Sequence, residues 1–80
     1  MWVVSAYEKR GDRLVKDHQL RNIDVALLRR LFRQSDDDPM YHSYPVTPAI
    51  ADALANHVSE PLRLDEYDYF LEYLSGPKRT

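Results

Sequence analysis

The chain has 80 residues, 44% of them hydrophobic, with a formal net charge of −2 and no cysteine. That length makes one domain at most, burying about 60% of the surface its unfolded form exposes, so a deep catalytic cleft is not expected. The hydrophobic content argues against a disordered chain, and the lack of cysteine excludes disulfides and thiolate metal sites. Stability must come from one compact core or from a partner.

Trp2 to Tyr7 is mostly β-branched or aromatic, and Arg13 to Leu20 alternates loosely between apolar and polar residues. The pair reads as a β-hairpin, because Gly11 accommodates a positive φ in the turn and Asp12 can hydrogen-bond back to the backbone. Asn22 or Asp24 then offers an N-cap to a helix over residues 24–33. Ile23, Leu27, Leu28, Leu31 and Phe32 fall on one face of it, and Arg29, Arg30 and Arg33 on the other.

Ser35 to Pro45, with Asp36, Asp37 and Asp38 in a row and Tyr41 and Tyr44 around His42, is expected to be a loop. Thr47-Pro48 is the sharpest local signal: the threonine oxygen accepts from an orphan amide, and proline at the first helical position sacrifices no hydrogen bond. A second helix should run to about His57, with Ile50, Leu54 and Val58 on one face and Ala51 and Ala55 small enough for close packing, before Pro61 forbids continuation.

The last segment, Leu64 to Tyr73, interleaves acids with large aromatics. As a helix capped by Asp65 and ended by Gly76 it would align Tyr67, Phe70, Leu71 and Leu74; as a strand it sets Tyr67, Tyr69, Leu71 and Tyr73 opposite Asp68, Phe70 and Glu72. The strand is preferred, because a two-stranded hairpin alone is marginal and needs a third strand. The expected fold is α+β, ββααβ: a three-stranded antiparallel sheet with two helices on one face, residues 1–76 as a single domain and 77–80 as a flexible tail.

Charge is placed unevenly. Lys9, Arg10, Arg13, Lys16, Arg21, Arg29, Arg30 and Arg33 crowd the first half, and the second holds Asp36, Asp37, Asp38, Asp52, Glu60, Asp65, Glu66, Asp68 and Glu72 against Arg63. The part that does not cancel in the fold can steer a charged partner, although blocks of charge more often serve solubility.

Little points to a reaction. His18, His42 and His57 fall on separate elements without metal-ligand spacing. Pro39 and Met40 stand where a cation loop after Asp36–Asp38 would need a glycine and further oxygens. Nothing beside Asp65, Glu66, Asp68 and Glu72 would desolvate one carboxylate and leave its neighbour ionised, and no serine sits in a nucleophile turn. No cofactor, metal or enzymatic activity is expected. The N-terminus reaches Glu8-Lys9-Arg10 too early for a signal peptide and no run approaches membrane-spanning length, so neither secretion nor a membrane partner is expected and the location is read as cytoplasmic.

Two strings are more specific: Asp38-Pro39-Met40-Tyr41 leading to Tyr44-Pro45-Val46-Thr47, and Tyr67-Asp68-Tyr69-Phe70-Leu71-Glu72. Over most of the chain, as far as Tyr73, they resemble a small bacterial family of uncharacterised domains, many of which look like immunity proteins accompanying secreted toxins. The resemblance brings no catalytic residues. It implies a stoichiometric inhibitor that covers the active surface of a toxin domain, often a basic nuclease.

The residues agree with that implication, since carboxylates framing aromatic anchors suit a basic protein surface. The expected function is a protein-binding module of immunity type, with a cognate toxin domain as partner. Candidate contacts are Asp36, Asp37, Asp38, Tyr41, Tyr44, Asp65, Glu66, Tyr67, Asp68, Tyr69 and Glu72, and at least two of Tyr67, Tyr69, Phe70 and Leu71 should face the core instead. The alternative is a small regulator of gene expression that reads nucleic acid through Arg29, Arg30 and Arg33. A sequence pI near 5.8 and the acidic second half oppose it, so no nucleic-acid partner is expected.

Overall fold

The computed structural model describes residues 1–74; Gly76 and the expected tail at 77–80 lie outside the described residues. The elements are β1 (Trp2–Glu8), β2 (Leu14–Gln19), α1 (Val25–Leu31), β3 (Tyr44–Pro45), α2 (Pro48–Leu54), a single 3₁₀ turn (Ala55–His57) and β4 (Tyr67–Tyr73). They form one antiparallel sheet of four strands in the order β2-β1-β4-β3. The first and last strands of the chain are thus the central pair.

The hairpin forms as its turn residues demand. Gly11 and Asp12 have φ of 87° and 52°, and the Glu8 amide donates to the Arg13 carbonyl at 2.9 Å across the reversal. The loose alternation of β2 has a cause, because the register slips between Ala6 opposite Lys16 and Tyr7 opposite Leu14. Val15 is the extra residue of that bulge and stays exposed.

Both helices start as their sequences suggest. The Asp24 carboxylate accepts from the Leu27 amide at 2.9 Å, and the Thr47 hydroxyl from the Ile50 amide at 3.3 Å with Pro48 beginning α2. Past Phe32, Arg33 takes a φ of 55°, and the Gln34 amide reaches back to the Arg29 carbonyl at 2.8 Å. That left-handed cap stops α1 before the expected residue 33. The second helix tightens into the 3₁₀ turn at Ala55. The His57 carbonyl and Nδ1 then meet the Arg21 amide and carbonyl, at 2.8 and 2.9 Å, pinning this end to the close of β2.

The segment in dispute is a strand, paired with β1 from Trp2 opposite Tyr73 to Glu8 opposite Tyr67. The expected three-stranded sheet is corrected to four, because Tyr44 and Pro45, assigned to a loop, pair with Leu71 and Phe70, and the Val46 amide continues to the Tyr69 carbonyl at 2.9 Å. A two-residue strand containing proline leaves no periodic signal. It is tolerated because β3 is an edge.

One side of the sheet carries the core. Val4, Ala6, Tyr69 and Leu71 share a face and pack in one cluster with Leu28 and Phe32 of the first helical segment, Ala51 and Leu54 of the second, and Met40 and Val46 between them. The chain leaves β2 at one edge, crosses that face through α1 to β3 at the other, and returns through α2 to β4, so both helices lie on the same side. Leu28, Met40, Leu54 and Leu71 are fully buried, each stabilising by about 1.5–3 kcal/mol.

Candidate protein-binding surface on the open face of the sheet

Strand alternation sends Val3, Ser5 and Tyr7 to the other side, with Asp17 and Gln19 of β2 and Asp68, Phe70 and Glu72 of β4 beside them. Val3 and Ser5 are 1% and 0% exposed yet belong to no part of the apolar cluster under the helices. Their cross-strand neighbours, Gln19 and Glu72 beside Val3 and Asp17 and Phe70 beside Ser5, flank them.

The centre of this face is a polar junction. The Ser5 hydroxyl donates to Asp17 Oδ1 at 2.5 Å and lies 3.3 Å from Glu72 Oε1, while Glu72 Oε2 accepts from the Tyr7 hydroxyl at 2.6 Å and from Ser43 at 3.4 Å. Serine has one proton, so two carboxylates converge on one donor and the Asp17 contact is the shorter. The Tyr7 and Phe70 rings meet edge to face with centroids 5.8 Å apart. With Asp12, Ser43 and Glu72 they wall a shallow hollow of about 310 Å³. Lys9 pairs with Asp68 at 2.9 Å, both half exposed.

The expected contact residues separate into groups. Asp68 and Glu72 stand on the open face. Tyr69, 4% exposed, is core, and its hydroxyl accepts from the Arg63 amide at 2.9 Å; Tyr67 is half-buried against the same cluster. Asp65 and Glu66 sit in the turn before β4, with Glu66 3.5 Å from Arg63. Six strand steps, about 20 Å, separate that turn from the other end of β4. There Tyr41, 65% exposed, lies with its ring centroid 4.9 Å from Tyr73 and 6.4 Å from Trp2.

The aspartate run does not act as a unit either. Asp38 is structural: its Oδ1 accepts from the Met40 amide at 2.7 Å, its carbonyl from Arg29 Nε at 2.7 Å, and its carboxylate from the Tyr44 hydroxyl at 3.3 Å. Burial, and then the Asp38 charge, push the Tyr44 hydroxyl above its ordinary pKa. Asp37 accepts from Ser35 at 2.7 Å, and that bond holds its carboxyl below the usual range. Asp36 is exposed. The arginines are divided as well, since Arg29 is half-buried on the Asp38 carbonyl while Arg30 and Arg33 point to solvent.

Sequence reasoning missed Ser5, Tyr7, Asp17 and Phe70 as surface partners. The signal was present in period two: once Tyr69 and Leu71 face a core, Asp68, Phe70 and Glu72 must face away, and Val3, Ser5 and Tyr7 with them. Among the described residues, no group of three or more histidines, cysteines or carboxylates is placed to hold a metal ion. No helix among them is long and apolar enough to cross a membrane.

A family model described as a domain of unknown function, DUF7683, matches residues 1–72. The chain belongs to that family. No curated protein and no solved structure matches it.

Proposed function

We propose that this protein is a small binding module that acts in the cytoplasm as an immunity-type inhibitor, occluding the basic surface of a toxin domain rather than catalysing a reaction. One observation carries the reading: the sheet face away from the helices, where Asp17 and Glu72 converge on Ser5 beside the Tyr7 and Phe70 rings. Partly buried carboxylates beside aromatic anchors are the elements that concentrate binding energy against an arginine- or lysine-rich partner. Asp68, bridged to Lys9, is exposed enough to exchange that partner for one on the toxin, since such pairs contribute about 1 kcal/mol or less.

The experiment is genetic and then biophysical. The toxic C-terminal domain encoded beside this gene is expressed alone, and with this chain. Rescue of growth, a one-to-one complex, and at least about tenfold weaker binding by Phe70→Ala and Glu72→Gln in folded variants are the expected results. A neighbourhood without such a toxin, or rescue that both variants leave intact, overturns the reading.

A further inference from the structure

A second hollow lies on the helix side of the sheet, at its β2 edge, and the proposed inhibitor surface makes no use of it. Lys16, Ala6 and Tyr69 lie in one row across β2, β1 and β4, and the small alanine between two long side chains leaves a depression of about 310 Å³. That is about ten water volumes. The segment from Glu60 to Glu66 forms its far wall.

Its floor is polar and incompletely satisfied. His18, 9% exposed, lines the hollow; neither ring nitrogen has a hydrogen-bond partner among the described residues, and neither is sealed from solvent. The Tyr69 hydroxyl accepts from the Arg63 amide, and its own proton has no acceptor among the described residues. At the rim, two ion pairs, Lys16 with Glu60 and Arg63 with Glu66, have side chains 47–64% exposed.

We propose that this hollow binds a small oxyanion, a carboxylate or phosphate group carried on a small molecule. The floor decides the sign. Tyr69 has a proton to give and His18 an N–H, so the group that satisfies both must be an acceptor. On the floor a cation would find only an imidazole lone pair, with Lys16 beside it, and the two carboxylates that line the hollow, Glu60 and Glu66, are already engaged by Lys16 and Arg63. The rim permits the exchange: exposed ion pairs are weak, so Lys16 and Arg63 turn from Glu60 and Glu66 to the incoming oxygens at little cost. Burial and then Lys16 lower the His18 pKa, with Asp17 opposing them, and an anion bound beside the ring acts against that lowering.

The test is an NMR pH titration of the three histidines in the full chain, at constant ionic strength, in chloride, inorganic phosphate or acetate. Saturable binding that raises the His18 pKa, with His42 and His57 moving no more than they do in chloride, is the expected result. Lys16→Gln and Arg63→Gln, both at exposed positions, should each weaken it about tenfold. A response to phosphate alone assigns a phosphorylated ligand, and a response to acetate alone assigns a carboxylate. A His18 shift no larger than in chloride, or one shared equally by all three histidines, overturns the site.

Discussion

The two faces of the sheet are held by different physics, although they share the same strands. On the helix side Val4, Ala6, Tyr69 and Leu71 lose water to Leu28, Phe32, Met40 and Leu54, and the stabilisation is apolar area. On the open side Ser5 is as fully buried as Leu71, but its environment is two carboxylates and a tyrosine hydroxyl. Burial in a small domain therefore does not by itself identify a core. A group can be sealed by its own cross-strand neighbours, and what it is sealed with decides whether it serves stability or recognition.

Adjacent residues of β4 give the largest contrast. Leu71→Ala removes a fully buried side chain beneath both helices and should cost about 2–5 kcal/mol, a large part of the stability of a domain this size. Phe70→Ala, one residue earlier on the other face, removes a half-exposed ring and should cost clearly less than the roughly 3–5 kcal/mol of a buried phenylalanine, while lowering affinity for the partner. Urea denaturation of both variants measures this. Equal losses would mean that the open face is a second core.

A smaller effect probes the junction. Ser5→Ala keeps the fold's volume nearly intact but removes the donor between Asp17 and Glu72, which should cost about 1–3 kcal/mol even though the Tyr7 hydroxyl still reaches Glu72. A midpoint unchanged from wild type would show that the 2.5 Å contact to Asp17 contributes nothing net.

Elements with local causes were legible in the sequence. Gly11-Asp12 dictated the hairpin turn, and Asp24 and Thr47-Pro48 the helix starts, because each depends on residues within a few positions, whereas the tyrosine-rich run fitted helix and strand alike and was read as a strand only from the hairpin's need of a third. What escaped depends on distant neighbours. Pro45 becomes a strand residue only because Phe70 lies opposite, and Arg33 takes a left-handed φ that its side chain does not advertise. The candidate surface was half read for the same reason. Asp68 and Glu72 were chosen for their own chemistry, but grouping them with Tyr69 ignored that alternation sends adjacent residues to opposite faces, and Asp17 acquires its meaning only from a register that brings it to Ser5.

The gentlest probe of the comparison is pH, because His18 is the one histidine on the helix-covered face of a strand. Burial, with Lys16 adding to it and Asp17 partly opposing, holds its pKa below the ordinary value of 6.5 in the folded chain. The unfolded chain then binds more protons wherever the pH lies between the two values, so stability rises with pH across that interval. Its contribution is complete above about pH 6.5, falls as the pH drops through 6.5 toward the folded value, and changes no further below it. The slope can be no steeper than that of one proton. Chemical denaturation at closely spaced pH values should show it in the wild type, and His18→Gln, which cannot titrate, should flatten that part of the curve while leaving the carboxylate-driven loss at lower pH in place. Parallel curves for the two proteins between pH 5 and 7 would mean that the hollow at the β2 edge solvates His18 as well in the folded chain as in the unfolded one.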